Sequence, residues 1–184
     1  ITVVGTGSFG TSLAMVLVNN DHDVRIYGRN EDVIKEINEK HTNNRYLKDV
    51  PLADSIRAIA NLEEGVSHAE ILVLAVPVKA VRSVTKDINA LLKRLRKKVL
   101  IVHVAKGLEL DTHLRVSEVI AEETTDDTVQ DICVLSGPSH AEEVAKKSPT
   151  TLSTASLKPE SAKIIQDVFM NKYFRVYHND DMIG

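Results

Sequence analysis

Residues 3–14 read "VVGTGSFGTSLA" and place Gly5, Gly7 and Gly10 between an apolar run and an alanine- and leucine-rich stretch. In a strand–turn–helix setting each glycine has its own task. Gly5 permits the tight bend, Gly7 keeps side chains away from a phosphate, and Gly10 lets the helix pack close to the strand. The helix that follows, expected from residue 10, would offer its first N–H groups and positive dipole end to an anion. The pattern points to a bound dinucleotide; a purely structural glycine turn is the alternative.

A second stretch, "RIYGRN", lies where such a fold selects its cofactor. An NAD-selective site carries Asp or Glu about 20 residues beyond the glycines, to hold the ribose 2′-hydroxyl. Here Gly28 and Arg29 follow the strand instead. A carboxylate would repel a 2′-phosphate, whereas a guanidinium pairs with one through charge-assisted hydrogen bonds. NADP(H) is therefore favoured. Glu31 stands close enough to leave NAD(H) possible, and Arg29 as a solvated loop residue is the alternative.

Three later loops each follow a strand-like run. In "LAVPVKAV", Pro77 either shapes the exit where the nicotinamide half would pass or simply stops the strand. In "HVAKGLE", residues 103–109, Lys106 puts a cation directly after a buried strand, able to bind a phosphate or a carbonyl oxygen, unless it is an ordinary surface lysine. In "LSGPSHAEEVAKKSPT", Gly137 and Pro138 form a turn, and Ser139 is expected to cap a helix beginning at His140, with Glu142 and Glu143 in its first turn. His140 has no carboxylate partner in its motif, so a structural role outweighs a catalytic one. His103 reads as a core histidine with its hydrogen bonds satisfied. The remaining histidines have no metal-ligand spacing, and no metal is expected.

These loops need a scaffold, and the chain alternates in the required way. Strands are expected at 1–4, 22–27, 56–60, 70–76, 98–104, 131–136, 150–156 and 174–177. Helices are expected at 10–19, 31–40, 78–95, 114–123, 139–146 and 159–170, with Pro159 suited to a first turn. Continuous apolar strands separated by helices imply an α/β, doubly wound Rossmann-type, mostly parallel sheet with helices on both faces. Ligand loops of such a sheet gather outside the carboxyl ends of its strands.

The 184 residues suffice for one large domain with a real core. At 43% hydrophobic, 27% charged and a net charge of −3, neither disorder nor a nucleic-acid surface is indicated. The single cysteine, Cys133, excludes an internal disulfide and reads as a buried strand residue. The longest apolar run, 71–78, is too short to span a bilayer, and no signal peptide is visible. A cytoplasmic setting fits. The chain opens inside a strand without methionine and closes on "HNDDMIG" without a helix cap, so both ends read as cut from a longer protein.

Taken together, "GTGSFGTSLA", "YGRN", "NNRYL", "AVPVKAVR", "HVAKGLE", "LSGPSHAEEV" and "FRVYHNDDMIG" resemble, in order and along the whole chain, the N-terminal domain of the bacterial NAD(P)-dependent glycerol-3-phosphate dehydrogenases. "YLKDV" departs from the family's usual "YLP", which affects only the local loop shape. The resemblance implies reduction of dihydroxyacetone phosphate to sn-glycerol 3-phosphate for phospholipid synthesis. It implies cofactor contacts from Ser8, Phe9, Gly28, Arg29, Tyr46, Lys106 and Ala141, and substrate contacts from Lys106, Gly137 and Ser139. It also implies that the proton-transfer lysine lies in a helical segment following residue 184, that a helical C-terminal substrate domain is absent from this chain, and that the fragment alone is inactive. The intact enzyme is expected to be a homodimer with neither nucleic-acid nor membrane partners. Two other readings remain: another two-domain NADP dehydrogenase, and a stand-alone dinucleotide-binding redox sensor.

Overall fold

The structure, a computed structural model, describes residues 1–182. It begins with β1 (Thr2–Val4), the glycine turn and α1 (Ser8–Asn19). β2 (Arg25–Tyr27), α2 (Glu31–Lys40) and β3 (Arg57–Ile59) complete one half of the winding, and α3 (Leu62–His68) returns the chain to β4 (Ile71–Leu74). The other half runs α4 (Val78–Leu95), β5 (Val99–His103), α5 (Val116–Glu123) and β6 (Val129–Ser136). It ends with α6 (Ala141–Ala145), β7 (Thr150–Ser156), α7 (Pro159–Phe169) and β8 (Phe174–His178).

The strand order is β3-β2-β1-β4-β5-β6-β7-β8. Strands β1 to β6 pair in parallel, β7 runs antiparallel to β6, and β8 is parallel to β7. The mostly parallel, doubly wound expectation therefore holds. Winding reverses between β1 and β4, which opens a crevice at their carboxyl ends.

Strand pleating divides the core in two. Val3, Val73 and Val102 face one layer with α1, α2 and α7; Val4, Leu72, Leu74 and Ile101 face the other with α3, α4 and α5. Helix α1 is buried continuously from Gly10 to Leu17, because α6 and α7 cover the side that the sheet does not. By contrast, α4 buries only the stripe Val81, Thr85, Ile88 and Leu92 and leaves its other faces to solvent.

Three expectations need correction. Helix α1 begins at Ser8 rather than residue 10, which brings the whole glycine turn up to its first N–H groups. Helix α3 was not read at all: its seven residues contain Gly65 and too little apolar periodicity, and Asn61 fixes its start by accepting hydrogen bonds from the N–H groups of Glu63 and Glu64. Ser139 is not a helix cap. α6 starts at Ala141 with His140 at the N-cap, and no side chain caps it.

Candidate functional site

The glycine turn is fixed by backbone proximity. Gly5 has φ +125°, and a Cβ there would stand 2.4 Å from the Ala75 carbonyl oxygen, so the turn lies directly on the end of β4. A Cβ on Gly10 would stand 2.2 Å from the Gly5 oxygen, which is how closely α1 approaches the turn. At Gly7 a Cβ would meet nothing within 4 Å; it would project into open space. Bare backbone thus faces the crevice where a side chain would obstruct a ligand. Gly7 is also the N-cap of α1 and no side chain caps the helix, leaving its first N–H groups for an anion. The turn is braced from behind by Asn43, fully buried, whose amide donates 2.9 Å bonds to the Thr6 carbonyl and to Thr11 Oγ1. "NNRYL" carries part of the family resemblance, but nothing local signals this bracing role.

Two clefts meet at the turn. One, of about 510 Å³, is lined by Gly5, Gly7, Gly28, Arg29, Tyr46 and Pro77, among others. Arg29 is exposed there and has no hydrogen bond or ion pair among the described residues, while Tyr46 is 42% exposed. Asn30 is engaged in capping α2 through Val33 N–H, and Glu31 begins that helix outside the residues lining the cleft. The other cleft, of about 390 Å³, is lined by Ser8, Phe9, Lys106, Ser139, His140 and Ala141 with Val104 and Glu142. Ser12 Oγ donates to the Ala141 carbonyl at 2.7 Å and ties α1 to this second wall. A ligand with two nucleotide halves would cross the N-terminus of α1 from one cleft to the other. The cofactor residues expected from sequence are split accordingly, except Gly10, which is buried beneath the turn.

Lys106 stands where the second cleft meets a third, of about 520 Å³, whose lining includes His103, Lys106, Arg115, Ser136, Gly137 and Asn179. Its ammonium donates to the Gly137 carbonyl at 2.6 Å, across the gap between the loops after β5 and β6. The expected substrate residues are therefore divided: Ser139 faces the second cleft, Gly137 the third, and Lys106 joins them. His103 corrects an expectation. It is 5% exposed with no well-formed hydrogen bond at either ring nitrogen, and burial, opposed by a backbone contact at Ala105, pushes its pKa down to about 4. Cys133 is the buried strand residue expected, and burial raises its thiol pKa to about 12.

Sequence reading missed Arg82. Its guanidinium donates to both carboxylate oxygens of Glu109, at 2.9 and 2.6 Å, and pairs with Glu122 at 2.9 Å and Glu123 at 2.7 Å. The signal was present, since Arg82 closes "AVPVKAVR" and Glu109 closes "HVAKGLE", but nothing local joins positions 27 residues apart. Among the described residues no cluster of three or more His, Cys, Asp or Glu side chains is placed to hold a metal, and no helix is long and apolar enough to cross a membrane.

Comparison with known proteins agrees with this geometry. A family model described as the N-terminus of NAD-dependent glycerol-3-phosphate dehydrogenase matches residues 1–162. Proteins named glycerol-3-phosphate dehydrogenase [NAD(P)+] from Macrococcus caseolyticus and Staphylococcus haemolyticus are 48% and 50% identical to the chain over all 184 residues. The chain spans 54% of each, about half the length of these relatives. A crystal structure of glycerol-3-phosphate dehydrogenase from Coxiella burnetii is 34% identical and superposes with a TM-score of 0.89, over all of this chain and 54% of that one. With the glycine turn, the Lys106 loop and the Gly137 loop gathered at one sheet edge, the chain belongs to the NAD-dependent glycerol-3-phosphate dehydrogenase family, matching its N-terminal, cofactor-binding part.

Proposed function

We propose that this chain is the cofactor-binding domain of an enzyme that reduces dihydroxyacetone phosphate to sn-glycerol 3-phosphate, with NADP(H) preferred over NAD(H). The observation that carries the reading is the position of Lys106, shared by the cleft containing Ser8, Phe9 and Ala141 and the cleft containing Gly137. One cation therefore borders both the space for a dinucleotide's reactive half and the space for a small phosphorylated substrate.

The residues fit the cofactor. Gly7 leaves the cradle open, the N–H groups of Ser8 and Phe9 would face a pyrophosphate, and Gly28, Arg29 and Tyr46 line the cleft for the adenosine side, which Pro77 joins rather than the nicotinamide side expected from sequence. When bound, the reduced nicotinamide supplies the hydride for a ketone carbon. Lys106 holds the substrate's carbonyl oxygen beside its positive charge and stabilises the alkoxide that develops there. Ser139 and the Gly137 loop orient the same molecule. The alkoxide then takes a proton from a lysine that the family resemblance places after residue 184, on a helical C-terminal domain that closes over the substrate. The complete protein is a cytoplasmic homodimer in this reading.

Fluorescence titration of the purified chain with NADPH and NADH tests the proposal. Arg29→Ala should weaken NADPH binding at least tenfold and change NADH binding less than threefold. Equal binding of both cofactors before mutation would overturn the NADP preference. Binding of neither would overturn the role of the glycine turn.

A further inference from the structure

Lys106 is exposed and sits beside Gly107, whose φ of +98° favours glycine and where a Cβ would meet nothing within 4 Å. A lysine at the end of a flexible stem loses considerable rotamer entropy when held in one orientation. Something else must hold the loop, and the contacts lead to α4.

Glu109 is the knot. Its backbone N–H donates to the Leu114 carbonyl and its carbonyl accepts from His113 N–H, while Thr112 Oγ1 donates to its carboxylate at 2.6 Å. Leu108 pairs with Arg115 across the same loop. The loop is thus closed on itself between residues 108 and 115. Arg82 then fastens it to the body of the protein through the paired bonds to Glu109, with Glu122 and Glu123 on the end of α5 holding the guanidinium from its other side. A planar guanidinium meeting a carboxylate through two parallel bonds restricts orientation as well as distance. The Glu109 side chain is only 14% exposed, and its carboxyl is held down to about pH 2, chiefly by the Arg82 hydrogen bonds. The clamp therefore stays charged throughout the neutral range.

We infer that Arg82 and Glu109 are positioning residues for Lys106: the clamp fixes the loop that aims the Lys106 ammonium at the Gly137 carbonyl and the seam of the two clefts. Helix α4 is well placed for this, because its first turns also line the cofactor-side cleft through Ala80, Ser83 and Val84. The meaning of the clamp for catalysis rests on the function proposed above; the clamp's hold on Lys106 does not.

The test is carried out on this chain with its lysines reductively ¹³C-methylated, a modification that leaves each ammonium a donor. The Lys106 methyl signal is assigned by its loss in Lys106→Arg. In Arg82→Gln that signal should move toward those of free surface lysines, and amide exchange at Glu109 and His113 should quicken at least tenfold, with Val102 in β5 unchanged. Glu109→Gln, which leaves Arg82 its bonds to Glu122 and Glu123, should give the same shift and serves if the first variant does not fold. Arg94→Ala, on the same helix as Arg82, removes an exposed pair to Glu63 of α3 and should leave the signal in place. A Lys106 signal unmoved in either folded clamp variant overturns the inference. So does a shift accompanied by equal loosening at Val102, which would mark general destabilisation. NADPH titration of the unmutated chain stands apart: its failure would sink the proposed function and leave the positioning result intact.

Discussion

At the residue scale, His103 is the most consequential side chain that the sequence misrepresented. A histidine in an apolar strand suggests a group with its hydrogen bonds met. Here neither ring nitrogen makes a well-formed hydrogen bond, and burial outweighs a backbone contact at Ala105 and lowers the pKa from 6.5 to about 4. The sign of the effect on stability follows. Between those values the unfolded chain takes up a proton that the folded chain refuses, so stability is greatest above pH 6.5 and falls as pH drops through 4. The loss amounts to about 3 kcal/mol across that window, as an order of magnitude. Replacing His103 by Asn should flatten the pH dependence of the melting temperature between pH 6.5 and 4; a dependence as steep as before would show that other groups cause it. A separate loss belongs at lower pH. Glu109 and Glu118 are both held to about 2 by hydrogen bonds from Arg82 and Arg115 respectively, so what they contribute is lost only as pH falls from 4.5 through 2. The Lys106 loop should loosen in that second window, visible as faster amide exchange at Glu109.

At the element scale, the glycine turn separates two kinds of necessity that the sequence writes with the same letter. Gly10 is required by the fold, because its missing Cβ is where the Gly5 oxygen lies. Under the proposed function Gly7 serves the ligand, because its missing Cβ would project into open space. Gly10→Ala should therefore lower folding stability by about 2 kcal/mol, with cofactor affinity falling as the turn shifts. Gly7→Val should melt within a few degrees of the unmutated chain while losing NADPH affinity at least tenfold. Thermal melting and fluorescence titration of the pair check this, and equal destabilisation by both would show that the open space at Gly7 has been misjudged. The turn's type and position were legible because strand, turn and helix signals are local. The brace behind it was not, since Asn43 reaches Thr6 and Thr11 from a segment about thirty residues away.

At the scale of the whole molecule, the antiparallel strand β7 and the parallel strand β8 extend the doubly wound sheet beyond β6 and carry the chain back toward the third cleft. Asp180 and Asp181 are exposed and Met182 is half-buried at that cleft, while residues 183 and 184 lie outside the described part. Exposed apolar surface is found instead on the Lys106 loop, where Leu108 and Leu110 are 51% and 86% exposed. Large side chains exposed beside a functional seam favour association. Light scattering of the chain should give a mass that rises with concentration, and Leu110→Ser should reduce that rise; a constant monomer mass would count against it. The proposed reaction needs a proton donor from beyond residue 184, so the chain should bind NADPH yet show no steady-state reduction of dihydroxyacetone phosphate. Measurable turnover by the verified 184-residue chain would place that donor within it.

Helix periodicity, strand runs and the glycine spacing depend on neighbours within a few residues, so the doubly wound class, most of the elements and the glycine turn are legible in the sequence. It could not show that α3 exists, because seven residues interrupted by Gly65 carry too little periodicity to be seen. Nor could it show that Lys106 spans two clefts, that Arg82 grips Glu109 or that burial outweighs the backbone contact at His103. Each of those depends on which loops the parallel crossovers bring to one edge of the sheet, and that juxtaposition exists only once the long-range strand pairing has formed.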